Sequence, residues 1–282
     1  ATATDNCAPA ANITISSSDV STYSADPASV LHYNYTITRT WRATDIAGNY
    51  SECIQIITVH DITNPVITCP VNVTINCEAD NTPAGTGTAT ATDNCAPAAN
   101  ITISSSDVST YSADPASVLH YNYTITRTWR ATDVAGNYSE CTQIITVHDI
   151  TNPVISCPAN VTINCEDDNT PAGTGTATAT DNCAPAANIT ISSSDVSTYS
   201  ADPASVLHYN YTITRTWRAT DIAGNYSECI QIITVHDITN PVITCPVNVT
   251  INCEADNTPA GTGTATATDN CAPAANITIS SS

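Results

Sequence analysis

Cysteine and aspartate are the residues of this chain whose types and spacing could do chemistry, and in both cases that chemistry is cross-linking. Cysteines stand at Cys7, Cys53, Cys69 and Cys77, recur at Cys95, Cys141, Cys157 and Cys165, recur again at Cys183, Cys229, Cys245 and Cys253, and end at Cys271, thirteen in all. Four per repeat, none in a CxxC pattern, reads as two disulfides per repeat in an oxidising compartment. The spacing lacks the clustered Cys/His pairs a zinc site needs. The odd total is expected of a sequence that starts and stops inside a repeat. Aspartate and asparagine recur at turn positions: Asp93 and Asn94, Asp133 and Asn137, and Asp149. Oxygen ligands from several loops meeting at a module end suit Ca²⁺, which takes about six to eight oxygens at roughly 2.3–2.6 Å. The same residues are good turn formers whose side chains bond local backbone, and that reading stands beside the first. Asn100, Asn122, Asn137 and Asn160 begin Asn-x-Ser/Thr sequons. A catalytic set is missing: His120 and His148 are the only histidines of their repeat, no Gly-x-Ser-x-Gly occurs, and no carboxylate pair stands out from the acidic background. The expectation is a protein that is not an enzyme.

What positions these residues is a repeat of 88. The segment beginning ATDNCAPAANITISSSDVSTYSADPASVLHYNYTITRTWRATD opens at Ala3 and returns at Ala91 and Ala179. Between residues 3–90 and 91–178 five positions differ: Ile46/Val134, Ile54/Thr142, Thr68/Ser156, Val71/Ala159 and Ala79/Asp167. The third copy reverts at all five, so the larger unit is two alternating variants. A fixed period of this size marks an array of like modules, and repetition serves length, reach or valency better than it serves an active site.

Composition narrows the class. Lys+Arg number 6 against 26 Asp+Glu, for a formal charge of −20. That excludes nucleic acid and anionic lipid as default partners. It fits a self-repelling solvated surface or one that gathers divalent cations. No run of 18 apolar residues occurs, so no membrane insertion is expected.

Within one period the polar and apolar residues alternate. Over residues 121–133, Tyr121, Tyr123, Ile125, Trp129 and Ala131 fall on one face and threonines on the other, as in a long strand with one buried side. Arg127 interrupts the apolar face and is expected to snorkel or to pair with a carboxylate. Further strands are read at 141–148, at 66–76 with Pro70 forcing an edge or a change of sheet, at 86–92, and in two short pieces at 100–104 and 107–111. Six or seven short strands, one Trp and frequent turns predict an all-β tandem array of small antiparallel immunoglobulin-like β-sandwiches. The boundaries expected are a partial module at 1–62, full modules at 63–150 and 151–238, and a partial module at 239–282, joined through a short Pro-stiffened segment at 148–153. In such a sandwich Cys95 and Cys141 fall at one end, so the pairs expected are Cys95–Cys141, Cys7–Cys53 and Cys183–Cys229. Cys69 and Cys77 are eight residues apart, roughly 26 Å if extended, whereas bridged Cα atoms lie about 5.5–6 Å apart. Either the segment folds back to close Cys69–Cys77, or Cys77 reaches Cys157 of the next module; Cys165, Cys245 and Cys253 face the same choice.

The ordered motifs ITCP-N-VT-NC, TGTATATDNC, YTITRTWRATD-AGN and C-Q-ITV-D-T-P resemble the hyalin-repeat-like modules of very large surface proteins common in Bacteroidota. The resemblance covers the whole 88-residue period. It implies an immunoglobulin-like sandwich, a secreted or cell-surface location and an adhesive or structural role. Modules of that family carry Cys69 and Cys77 as a unit, which favours the local pair. Two further cysteines common in the family are absent, their places taken by Ile46, Val134 or Ile222 and by the Ser-Val-Leu-His-Tyr segment.

The expected function is thus a structural, non-catalytic segment of a giant surface repeat protein that forms a disulfide-stapled stalk or extracellular filament in adhesion. Its expected partners are neighbouring modules, and identical chains where a filament forms. The rivals are a multivalent array binding a glycan or protein through Tyr111, Tyr121 and Tyr138, and a fibre subunit that assembles laterally.

Overall fold

The computed structural model describes residues 1–281. Its contacts divide the chain into two compact units, residues 1–112 with 122–148 and residues 113–121 with 149–282. Each unit holds one complete β-sandwich and part of another.

In the first unit, strands Val66–Thr68 and Thr90–Thr92 pair antiparallel in a two-stranded sheet. The facing sheet has four strands in the order Val73–Ile75, Tyr138–Val147, Tyr123–Thr132, Thr102–Ser109. The first pair is parallel and the others antiparallel. The second unit repeats this with Val154–Ser156 on Thr178–Thr180, and with Val161–Ile163, Tyr226–Val235, Tyr211–Thr220 and Thr190–Ser197. The chain is therefore an array of immunoglobulin-like sandwiches. Partial sandwiches add a three-stranded sheet of Thr14–Ser21, Tyr35–Thr44 and Tyr50–Val59 to the first unit, and the pair Val242–Thr244 with Thr266–Thr268 to the second.

The alternation read from sequence accounts for the core. Ile125, Arg127, Trp129 and Ala131 all turn inward and are buried, and Ile125 packs with Ile145, Val147, Val73 and Ile75. Pro70 has no N–H to give a ladder, and the 66–76 segment changes sheets there. Val66–Thr68 lies in one sheet and Val73–Ile75 in the other. The two short strands read at 100–104 and 107–111 are one, Thr102–Ser109, because its polar run pairs without interruption along Tyr123–Thr132. Ala-only Thr90–Thr92 is preceded by a helical turn, Pro83–Thr86, that the sequence reading missed; Gly85 lies there against Asp80, where a β-carbon would meet the Asp80 carbonyl oxygen.

Polar groups tie the two sheets together. The Arg127 guanidinium donates to both Asp107 carboxylate oxygens at 2.8 Å, to Thr86 Oγ1 at 2.8 Å and to the Asn81 carbonyl at 2.9 Å. Gln143, fully buried, donates to the Val71 and Thr86 carbonyls and accepts from Trp129 Nε1. Arg215 and Gln231 do the same in the second unit. The carboxylate partner expected for Arg127 is Asp107.

Tyr121 corrects one assignment. The strand begins at Tyr123, after a 3₁₀ turn at Val118–His120, so Tyr121 is not a residue of that strand's buried face. Its whole segment, residues 113–121, clusters with the second unit. The equivalent Tyr33 shows what this segment does: it is buried with Ala96, Ile101 and Ala131, residues of the following period.

Candidate functional site

The disulfides differ from the expected pairs. Cys141 is joined to Cys69, with Cα atoms 6.0 Å apart, and Cys229 to Cys157 at 5.9 Å. Cys69 follows Val66–Thr68 directly, and that strand lies over Tyr138–Val147 in the opposite sheet, so the bridge staples sheet to sheet inside one sandwich. Cys95 cannot serve as the partner of Cys141. The Asp93 carboxylate accepts from the backbone N–H of Cys95 and of Ala96, at 2.8 and 2.9 Å, and this tight turn carries Cys95 away toward Asp61. Cys7 and Cys53 are both free thiols, and Cys183 is not bonded to Cys229.

The second kind of bridge joins Cys165 to Cys271, with Cα atoms 6.1 Å apart and a sequence separation of 106. That separation exceeds the 88-residue period, so the bond crosses from one repeat into the next. Neither the local Cys69–Cys77 pair nor a Cys77–Cys157 pair forms, since Cys69 and Cys157 are taken. Cys77 and Cys183, one period before Cys165 and Cys271, are also in disulfide form. Cys95, Cys245 and Cys253 are free. Desolvation, then the charges of Asp61 and Asp93, push the Cys95 thiol pKa up.

The aspartates converge where one period meets the next. Asp61 is 7% exposed; its backbone N–H donates to Asn34 Oδ1 at 2.8 Å, and its Oδ1 accepts from the Thr63 N–H at 3.1 Å. Ligand atoms of Asp61, Asp93 and Cys95 lie within 4.8 Å of one another. Asp133, also buried, is held by Asn137, whose N–H and side-chain amide donate to its two oxygens at 2.8 and 2.9 Å. The Asn137 amide also donates to the Asp61 carbonyl at 3.1 Å. Gly136, at φ 98°, makes the turn that brings Asn137 back onto Asp133. In the second unit the corresponding Asp149, Asp181 and Asp221 have ligand atoms within 4.8 Å of one another. Asp149 thus belongs with Asp181 and Asp221, and the partner of Asp93 is Asp61. Asn94 is outside the group, its amide turned to Cys95 Sγ. The position is the one read as Asp149 in the sequence, and spacing does not show that it joins the aspartates of the following period rather than those of its own.

The sequon asparagines are structural as well. Asn100 donates to the Pro27 carbonyl at 2.8 Å, Asn160 accepts from the Ile232 N–H, and Asn137 is engaged as above. At the Asn122 position of the other periods, Asn34 and Asn210 accept from the N–H of Asp61 and Asp237. The three tyrosines named for ligand binding have different surroundings: Tyr121 is buried, Tyr111 stacks edge-on with Tyr123, and Tyr138 lies under the Arg130 guanidinium at 3.6 Å.

No family model and no curated protein matches this chain. Among solved structures it is similar to protocadherin gamma B2 extracellular cadherin domains 1–5, at 12% identity and a TM-score of 0.31 over 81% of this chain and 54% of that one. It is also similar to the protocadherin gammaB7 EC3-6 cis-dimer structure, at 18% identity and a TM-score of 0.30 over 84% of this chain and 70% of that one. Drosophila N-cadherin EC1-4 follows at 12% and 0.28, over 72% of this chain and 58% of that one. The chain spans about half the length of the first of these. Likeness at this level carries no argument about function.

Proposed function

We propose that this chain is a structural, non-catalytic segment of a secreted or cell-surface repeat protein of adhesion type, forming a disulfide-stapled stalk or extracellular filament. The observation that carries this reading is the Cys165–Cys271 bond, whose 106-residue span is longer than the repeat. A bond inside each sandwich protects that sandwich, whereas a bond that leaves it for the next makes the array continuous under tension. Disulfides of both kinds support an oxidising, extracellular setting. The excess of 20 negative charges supports a solvated shaft that repels its like. The resemblance of the period to hyalin-repeat-like modules supports the same role.

Single-molecule stretching tests it. Bonds spanning 72 and 106 residues withhold at least roughly 600 Å of contour from an oxidised chain, at about 3.4 Å per residue. The oxidised chain is expected to stop short by that amount, and added reductant to release it. Full extension before reduction would sink the proposal.

A further inference from the structure

We infer that each junction between periods is a divalent-cation site, and that the ion it takes is calcium. This goes beyond the stalk reading, which needs no ion. In the first unit the ligands are Asp61, Asp93 and Asp133, and in the second Asp149, Asp181 and Asp221. Each set draws one carboxylate from the end of one period and two from the loops of the next.

The acidic residues alone do not make the case; their unmet valence does. Asp61 is more than nine-tenths buried and its Oδ2 has no hydrogen-bond donor, while one of its carboxylate oxygens lies within 4.8 Å of a ligand atom of Asp93. Asp93 Oδ2 is likewise buried without a donor, and so is Asp181 Oδ2 in the other unit. A buried ionised carboxylate oxygen with no partner is costly and calls for a counter-charge. The protein has none left to give. It contains 6 Lys+Arg in all, and each of the six arginines is paired elsewhere: Arg39, Arg42, Arg127, Arg130, Arg215 and Arg218 with Asp19, Glu52, Asp107, Glu140, Asp195 and Glu228. His60, next to Asp61 in the chain, is exposed. In the second unit Asp149, Asp181 and Asp221 have ligand atoms within 4.8 Å of one another, and in the first the equivalent Asp61 and Asp93 converge in the same way beside Cys95, which argues against an accident of one loop.

The donors are hard oxygens from three separate stretches of chain, two of them turns. Such a set suits a cation that accepts irregular, high coordination, and disfavours Mg²⁺, which demands a tight octahedron. The free Cys95 thiol beside Asp61 is not required, because in the second unit the equivalent Cys183 is in disulfide form while the three aspartates still converge.

The experiment is equilibrium dialysis of the whole oxidised chain against Ca²⁺, after stripping with a chelator, with thermal unfolding measured in parallel. Extracellular modules bind in the range of about 10⁻⁴–10⁻³ M, so the titration runs to roughly 10 mM. Two ions per chain are expected to disappear in the double variant Asp93→Asn, Asp181→Asn. Ca²⁺ is expected to raise the midpoint of the wild type and leave that of the variant unchanged, and Mg²⁺ to do less. In chelator the variant should be at least as stable as the wild type, since it removes a buried charge without removing side-chain volume. A merely structural aspartate predicts the reverse. Equal ion binding by wild type and variant, no binding at all, or a variant destabilised as much in chelator as in Ca²⁺ would each overturn the inference. None of these outcomes bears on the stretching experiment, so the stalk reading stands or falls separately.

Discussion

Arg127 and Asp107 form one ion pair, yet their removal should have unequal consequences, with the exposed partner the worse one to lose. The Arg127 side chain is 3% exposed and that of Asp107 40%. Asp107→Ala leaves a guanidinium buried with only two neutral acceptors, Thr86 Oγ1 and the Asn81 carbonyl. Breaking a buried pair in this direction costs about 3–5 kcal/mol, and the two surviving hydrogen bonds place this case near the lower end. Arg127→Met returns Asp107 to water, and the methionine fills the volume of the arginine stem. Thr86 Oγ1 keeps its bond to the Thr82 carbonyl at 2.8 Å, so the Asn81 carbonyl is the one group that loses its donor, at about 1–3 kcal/mol. Hydrogen exchange read by mass spectrometry can isolate this sandwich despite the repeats. A peptide containing Thr142 is unique, because the other two periods have Ile54 and Ile230 there. Exchange in that peptide should accelerate more in Asp107→Ala than in Arg127→Met, by about tenfold for each 1.4 kcal/mol of difference. Equal effects, or a larger effect for Arg127→Met, would refute the argument from exposure.

Two further outcomes follow from the same contacts. The Arg127 hydrogen bonds hold the Asp107 carboxyl below its ordinary value. A depressed folded-state pKa stabilises the fold fully above the unfolded value, about 3.9, and that contribution is lost as pH falls through the lower folded value. Asp107→Asn should therefore flatten the acid limb of a stability profile below about pH 4, read from the same peptide. Tyr33→Ala should destabilise the first unit by about 3 kcal/mol, since the ring is buried against Ala96, Ile101 and Ala131. Tyr33→Phe loses only the bond from its hydroxyl to the Pro27 carbonyl, about 1 kcal/mol, and exchange in a peptide containing Val134 separates the two variants.

The elements that could be read from sequence were those whose signal lies within one strand. The alternation of Ile125, Trp129 and Ala131 gave the buried face, and Pro70 the change of sheet, because period and a missing N–H act over a few residues. The cross-links were not legible in this way. Cys95 and Cys141 look like partners when strand ends alone are counted, but the turn at Asp93 reverses the chain by hydrogen bonds to two backbone N–H groups. The positions of Asp61 and Tyr33 were read, as Asp149 and Tyr121 one period later, but were grouped with the wrong neighbours, because each acts in a sandwich other than the one its own period builds. The one signal available was their recurrence at 88 residues, and recurrence says that a residue is needed without saying where.

That displacement also explains which positions are able to differ between periods. Ile54 and Val71 are 68 and 78% exposed, and Thr68, Ser156 and Ala79 are exposed as well. Exchanges there meet solvent, so Ile54/Thr142 and Val71/Ala159 disturb no neighbour. Asp167 in place of Ala79 adds only a local bond, accepting from the Asn164 N–H at 2.7 Å. Val134 alone touches a junction, packing at the edge of the Tyr33 cluster, and it differs from Ile46 by a single methylene. The residues of the cross-period contacts, Tyr33, Asp61, Asp93, Ala96, Ile101 and Asp133, repeat without change at every place the sequence reaches. In an array whose stability is a sum of unit terms and nearest-neighbour interface terms, a change at an interface must suit the faces of two repeats at once, whereas a change on the outer surface has to suit none. The five differences therefore sit where a change meets solvent or, at Val134, removes one methylene, and they leave the contacts between successive periods intact.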